Sequence, residues 1–110
     1  MRMRKKKNGI ARIEACSEYL IRNKEQIDDL REEGKFPCRL EIGCGKGGFI
    51  DRLSGLHPDV GYLAVERVSN VIVCAAETAR ERGRENLRFL NVSAENLLYY
   101  LPSHKIRAIY

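Results

Sequence analysis

Apolar residues recur along this chain at two different intervals, and the switches between them mark out its elements. Ile10, Ile13, Cys16, Tyr19 and Leu20 fall at helical spacing and predict an amphipathic helix over residues 10–21. Residues 23–35 are mostly charged, with Ile27 and Leu30 supplying a short apolar helical side that Gly34 and Pro37 bring to an end. The stretch Arg39–Ile42 is β-compatible and runs into Gly43, Gly45, Gly47 and Gly48, after which Phe49, Ile50, Leu53 and Leu56 return to helical spacing. That helix stops near His57-Pro58-Asp59. Residues 60–65 then read as a strand buried on both faces. Ser69 is placed to cap a helix reaching Arg82, with Gly83 as its C-cap. A third strand is expected over residues 87–92, a short helix over 94–101 ended by Pro102, and the opening of a fourth strand over 106–110.

Strands alternating with helices predict an α/β chain, a parallel sheet of right-handed βαβ units with flanking helices on both faces. No internal repeat or low-complexity block interrupts the pattern. The organisation expected is a basic arm and helical segment over residues 1–35, then a sheet domain over residues 36–110. A chain stopping inside its fourth strand leaves unpaired backbone on an edge, so the expectation is a truncated sheet open to self-association.

Composition narrows the class. A length of 110 residues allows one domain, and 44% hydrophobic with 32% charged residues excludes disordered and fibrous classes. The longest apolar runs, such as Val71 to Ala76, fall far short of the ~20 residues that span a bilayer. Asn8, Arg12 and Glu14 interrupt any signal-peptide core, so no membrane association and a cytoplasmic location are expected. Cys16, Cys38, Cys44 and Cys74 lie 22, 6 and 30 positions apart without a C-x-x-C pair, which signals neither a metal site nor a redox motif and implies reduced thiols. His57 and His104 stand alone and receive no chemistry.

The net charge of +5 is unevenly placed. Arg2, Arg4, Lys5, Lys6 and Lys7 hold five basic groups, and taking those five from the 20 leaves 15 basic against 15 acidic residues. A basic arm beside a neutral body suits contact with nucleic-acid phosphates, which releases counterions. A merely solubilising terminus has the same composition.

The strongest chemical signal is Leu40-Glu41-Ile42-Gly43-Cys44-Gly45-Lys46-Gly47-Gly48-Phe49. A glycine turn after a first strand lets backbone approach a ligand closely. Gly43, Gly45 and Gly48 also satisfy the dinucleotide pattern G-x-G-x-x-G, whereas Phe49 stands where a P-loop needs lysine. Charge separates the remaining ligands. A pyrophosphate at the helix N-terminus would be repelled by Glu41, two positions before the first glycine, while S-adenosylmethionine carries a sulfonium and an ammonium and no phosphate. Glu41, Gly43, Cys44 and Gly45 are therefore candidate cofactor-binding residues.

Glu66 follows Gly43 by 23 positions, close to the ~20-residue offset at which an acid accepts from ribose hydroxyls. Taken alone it reads as an ordinary polar strand cap, and the glycine turn at the right distance is what favours the ribose role. Ser93 and Ala94, at the end of the third strand, are placed for the adenine if that strand lies beside the first; Asn91, Ser93 or Glu95 serve equally as the cap of the next helix. Lys46 is expected to be solvated.

These motifs together resemble one family. Met1-Arg2-Met3-Arg4, the glycine segment from Glu41 to Gly47 followed by Phe49-Ile50, then His57-Pro58-Asp59, and Ala64-Val65-Glu66 with Ser69-Asn70-Val71-Ile72 are similar to the bacterial tRNA (guanine-N7)-methyltransferases. The likeness runs over nearly the whole chain and is most specific at the lysine and phenylalanine of G-x-G-K-G-x-F-I. It implies a Rossmann-like class I methyltransferase fold, S-adenosylmethionine as cofactor, tRNA as partner, no metal, and cofactor-binding roles for Glu41 and Glu66. Ser93 departs from the family, which often has an acid or amide there, and nothing follows Tyr110 where the family's acidic, tryptophan-containing catalytic segment belongs.

Guanine N7 has an in-plane lone pair and no proton, so methyl transfer to it needs positioning more than a general base. The residues present hold one reactant only, and methyl transfer by this chain alone is not expected. Two other readings are compatible with the sequence: a class I methyltransferase with a different acceptor, and a nonenzymatic RNA-binding domain that retains the fold.

Overall fold

A computed structural model describes residues 9–32, 39–101 and 108–110. In chain order its elements are helix α1 (Gly9–Ala15), strand β1 (Leu20–Ile21), α2 (Lys24–Glu32), β2 (Arg39–Ile42), α3 (Gly48–Leu56), β3 (Tyr62–Val65), α4 (Ser69–Arg82), β4 (Leu87–Leu90), a 3₁₀ turn (Ala94–Asn96), α5 (Leu97–Tyr100) and β5 (Ala108–Ile109). The strands form one sheet in the order β1-β4-β3-β2-β5, every pair parallel.

Strand alternation divides the core in two. Tyr62 and Ala64 of β3, Leu87 and Phe89 of β4 and Leu20 of β1 meet Ile50 of α3 and Ile72, Val73, Ala75, Ala76 and Ala79 of α4. Leu63 and Val65 turn the other way, with Leu40, Leu90 and Ile21, onto Ile27 of α2 and Leu97 and Leu101. Strand β3 is central and buried along both faces, as its unbroken apolar run requires. Phe89 is wholly buried, and truncating such a ring costs about 3–5 kcal/mol.

The first segment corrects the sequence expectation. Helix α1 ends at Ala15, its Ile10 and Ile13 are exposed, and a turn delivers Leu20 and Ile21 to the edge of β4 as a strand. The Phe89 amide donates to the Tyr19 carbonyl at 2.8 Å. Leu20 and Ile21 enter opposite cores, which consecutive positions of one helix face cannot do, and the unpaired edge of β4 rewards the extended form. Strand β1 and helix α2 thus share the cores of the sheet that follows them.

Helix α2 begins with a reciprocal cap. Asn23 Oδ1 accepts from the Gln26 amide at 3.0 Å and Gln26 Oε1 accepts from the Asn23 amide at 3.2 Å. The C-terminus of α4 closes as expected on Gly83, at φ 65°, with the Arg84 amide donating to Ala79 and the Gly83 amide to Arg80. Its other end differs: Val68 holds the N-cap position, because the Ser69 hydroxyl is committed to Asn91 Oδ1 at 2.9 Å.

Two side chains knit α3 to the rest, and a third joins α1 to α4. Buried Asp51 accepts from Arg82 at 2.5 Å and Arg84 at 3.0 Å. The Asn86 amide nitrogen donates to the carbonyls of Ser54, His57 and Val60 at 2.9, 3.0 and 2.9 Å, fastening the α3 exit to the start of β4. Arg12 pairs with Glu77, tying α1 to α4.

Candidate cofactor site

The carboxyl ends of β2, β3 and β4 lie side by side, and the turn from β2 into α3 crosses them. The Gly43 and Cys44 amides both donate to the Val65 carbonyl, at 2.8 and 3.0 Å, so the turn is moored to the end of β3. Gly43, Gly45 and Gly47 take φ of 75°, 57° and 82°, the left-handed region that favours glycine. A Cβ at Gly43 or Gly45 would meet nothing within 4 Å, whereas one at Gly47 would stand 2.8 Å from the Ala75 Cβ of α4. The close-packing glycine is therefore Gly47, not the Gly48 of the dinucleotide pattern. Gly43 and Gly45 leave open space in front of the turn.

Glu41 lies on β2 opposite Ala64 and shares its face of the sheet, the one covered by α3 and α4. Its Oε1 is buried and has no hydrogen-bond partner among the described residues. Burial raises its carboxyl above the ordinary value. Cys44, half-buried against the α3–α4 core, is pushed up to about 12 by burial first and then by Glu41 and Glu66. Its thiol donates to the Gly45 carbonyl at 3.6 Å.

Glu66 stands one residue beyond β3. Its Oε1 accepts from the Gly45 amide at 3.1 Å and its Oε2 from the Val68 amide at 3.0 Å, so the carboxylate braces both the glycine turn and the entry to α4. Two oxygens offer about four acceptor positions, which leaves capacity for hydroxyl donors.

A cavity of about 270 Å³ opens at these strand ends, lined by Ile42, Gly43, Val65, Glu66, Arg67, Val92 and Ala94. Of the candidate residues, Gly43, Glu66 and Ala94 form its wall, and Gly45 joins it through Glu66. Glu41, Cys44 and Ser93 are not in the wall. Ser93 sits at the N-cap of the 3₁₀ turn, where its carbonyl accepts from the Asn96 amide at 3.1 Å and its hydroxyl from Asn96 Nδ2 at 3.3 Å. The third predicted strand pairs with the second and not the first, because the crossover through α4 carries β4 outward past β3. Its end still reaches the cavity through Val92 and Ala94.

Sequence reasoning missed Ile42, Val65, Val92 and Arg67. The first three are the last apolar positions before or after each strand end, and Arg67 follows the acid directly, so their adjacency to the motifs was the available signal. Arg2, Arg4, Lys5, Lys6 and Lys7 lie outside the described residues. Among the described residues no cluster of three or more His, Cys, Asp or Glu could hold a metal, and no helix is long and apolar enough to cross a membrane.

Residues 35–110 match the family described as "Putative methyltransferase". Aligned over the full chain, it is 34% identical to a tRNA (guanine-N(7)-)-methyltransferase of Geobacillus sp. (strain WCH70), covering 51% of that protein. It is 33% identical, again over the full chain, to one from Clostridioides difficile (strain 630), covering 53%. The chain spans about half the length of the curated relatives it matches. Among solved structures, the plantazolicin methyltransferase BamL, in complex with a triazolic desmethylPZN analog and SAH, superposes with a TM-score of 0.51 at 20% identity, covering 88% of this chain and 34% of that one. The parallel sheet with flanking helices is thus the Rossmann-like class I methyltransferase fold. With its match over residues 35–110 and relatives that are tRNA (guanine-N7)-methyltransferases, the chain belongs to this methyltransferase family.

Proposed function

We propose that this chain is the S-adenosylmethionine-binding half of a cytosolic enzyme that methylates guanine N7 in tRNA. The observation that carries the reading is the buried, unpartnered Oε1 of Glu41, two positions before a glycine turn whose front is open. A buried carboxylate with no partner is costly, and a cationic ligand supplies the missing charge and donors. A pyrophosphate does the reverse.

The residues present divide the work. Glu41 supplies negative charge near the strand end, and Gly43 and Gly45 let backbone approach the ligand. Glu66 offers its remaining acceptor positions to a ribose, and Ile42, Val65, Val92 and Ala94 give apolar walls to a base. When bound, S-adenosylmethionine contributes an electrophilic methyl group that guanine N7 can attack directly. What the protein adds is orientation at near-attack distance, worth about 7–11 kcal/mol when geometry is good. The basic arm at Arg2, Arg4, Lys5, Lys6 and Lys7 is assigned to tRNA phosphates, in keeping with the tRNA-modifying relatives.

Calorimetric titration of the chain with S-adenosylhomocysteine and, separately, with NAD tests the reading. Saturable binding of the first and none of the second is expected. Tighter binding of NAD would overturn it.

A further inference from the structure

The strand ends that frame the cavity are held together past the point where the sheet stops. The last backbone rung between β3 and β4 is the Glu66 amide donating to Leu90 at 3.2 Å. Beyond it the next position on β4 is Asn91, and its side chain takes over: Nδ2 donates to the Glu66 carbonyl at 2.9 Å while Oδ1 accepts the Ser69 hydroxyl at 2.9 Å. One exposed amide therefore joins the ends of β3 and β4 and the start of α4.

We propose that Asn91 is a positioning residue for the cofactor site, fixing the peptide of Glu66 so that its carboxylate meets the Gly45 and Val68 amides and faces the cavity. The argument is geometric. Glu66 has its amide tied to Leu90 and its carbonyl tied to Asn91, so both sides of its Cα are anchored and the side chain has one direction in which to leave. Asn91 is followed by Val92 and Ala94, which line the same cavity as Glu66, so the same bond sets the spacing between Glu66 and those residues. Because Asn91 is exposed and absent from both apolar cores, its loss removes little packing. Its effect should fall on the site rather than on the fold.

This inference rests on the cofactor reading above, and the experiment separates the two. Asn91→Ala, Asn91→Asp and Ser69→Ala are titrated with S-adenosylhomocysteine, and amide hydrogen exchange is followed in the ligand-free proteins. Asn91→Ala should weaken binding about three- to tenfold, the range of one ordinary hydrogen bond, with an almost unchanged melting temperature. It should also speed exchange at the Gly45 and Val68 amides. Asn91→Asp keeps the acceptor for Ser69 but loses the donor to Glu66, so it should not rescue binding, and Ser69→Ala should do less than either. In a Glu66→Gln background, where the carboxylate is already impaired, Asn91→Ala should add little. Wild-type affinity and unchanged Gly45 and Val68 exchange in Asn91→Ala would overturn the inference while leaving the cofactor reading intact. Failure of the wild-type chain to bind, with exchange still accelerated in the variant, would overturn the cofactor reading and leave the positioning of Glu66 standing.

Discussion

Replacing Glu41 by Gln should move stability and cofactor affinity in opposite directions. The variant keeps the shape of the side chain and removes the charge whose Oε1 lies buried without a partner. An unsatisfied buried group costs about 1–3 kcal/mol, and the amide still bears part of that, so a gain of about 1 kcal/mol in the ligand-free protein is expected. For a chain of this length that is roughly 4 °C in Tm. The pH dependence has a definite sign. Glu41 has a folded pKa raised from 4.5 by burial, so the native state holds its proton longer and wild-type stability falls as pH rises through the folded value. The advantage of Glu41→Gln should be present at neutral pH and absent below about pH 4.5, where the carboxyl is protonated in both states. Binding should suffer instead, because a charge-assisted hydrogen bond is worth about 1.5–3 kcal/mol, or roughly ten- to 150-fold in Kd. At S-adenosylhomocysteine a hundred times above the wild-type Kd, wild type gains about 2.7 kcal/mol and a variant bound roughly 30-fold more weakly gains about 0.9 kcal/mol. The order of melting in scanning fluorimetry should therefore invert on adding ligand. A variant that melts below wild type without ligand, or gains as much from it, refutes the reasoning.

Other perturbations test the scaffold. Gly47→Ala should destabilise more than Gly45→Ala in urea titrations: both pay about 1–2 kcal/mol for positive φ, but only Gly47 adds a Cβ 2.8 Å from Ala75. Ala75→Gly should recover part of the difference, and equal losses at the two glycines would contradict the packing described. Asn86→Ala should lower stability by about 1–3 kcal/mol, because three carbonyls lose their donor, and Asn86→Asp should not rescue it. Cys44, with its thiol pushed up to about 12, should resist alkylation at pH 8 until the chain is unfolded; native labelling at the rate of a free cysteine, mapped by mass spectrometry, would show the thiol is not so buried.

The central βαβ units were legible because period and punctuation agree there: Tyr62–Val65 is apolar throughout, and Gly83 ends α4 where the pattern ends. Cys16, Tyr19 and Leu20 misled because their spacing suits a helix as well as a turn and strand; only the vacant edge of β4 decides, and that is a long-range fact. The capping pair Asn23 and Gln26 is a local signal, three positions apart at the start of α2. In the site, the two acids and the glycine turn could be found from sequence, since their spacing follows from the fold. Asn91 could not, because its partners Glu66 and Ser69 lie 25 and 22 positions away and meet only once the strands are aligned.

The most direct test is a crystal structure of the chain grown with S-adenosylhomocysteine. The account predicts the nucleoside in the cavity bounded by Gly43, Glu66 and Ala94, with Glu41 facing the cationic end of the ligand. A ligand seated elsewhere, or Glu41 turned away from it with its Oε1 paired to protein, would contradict the claim.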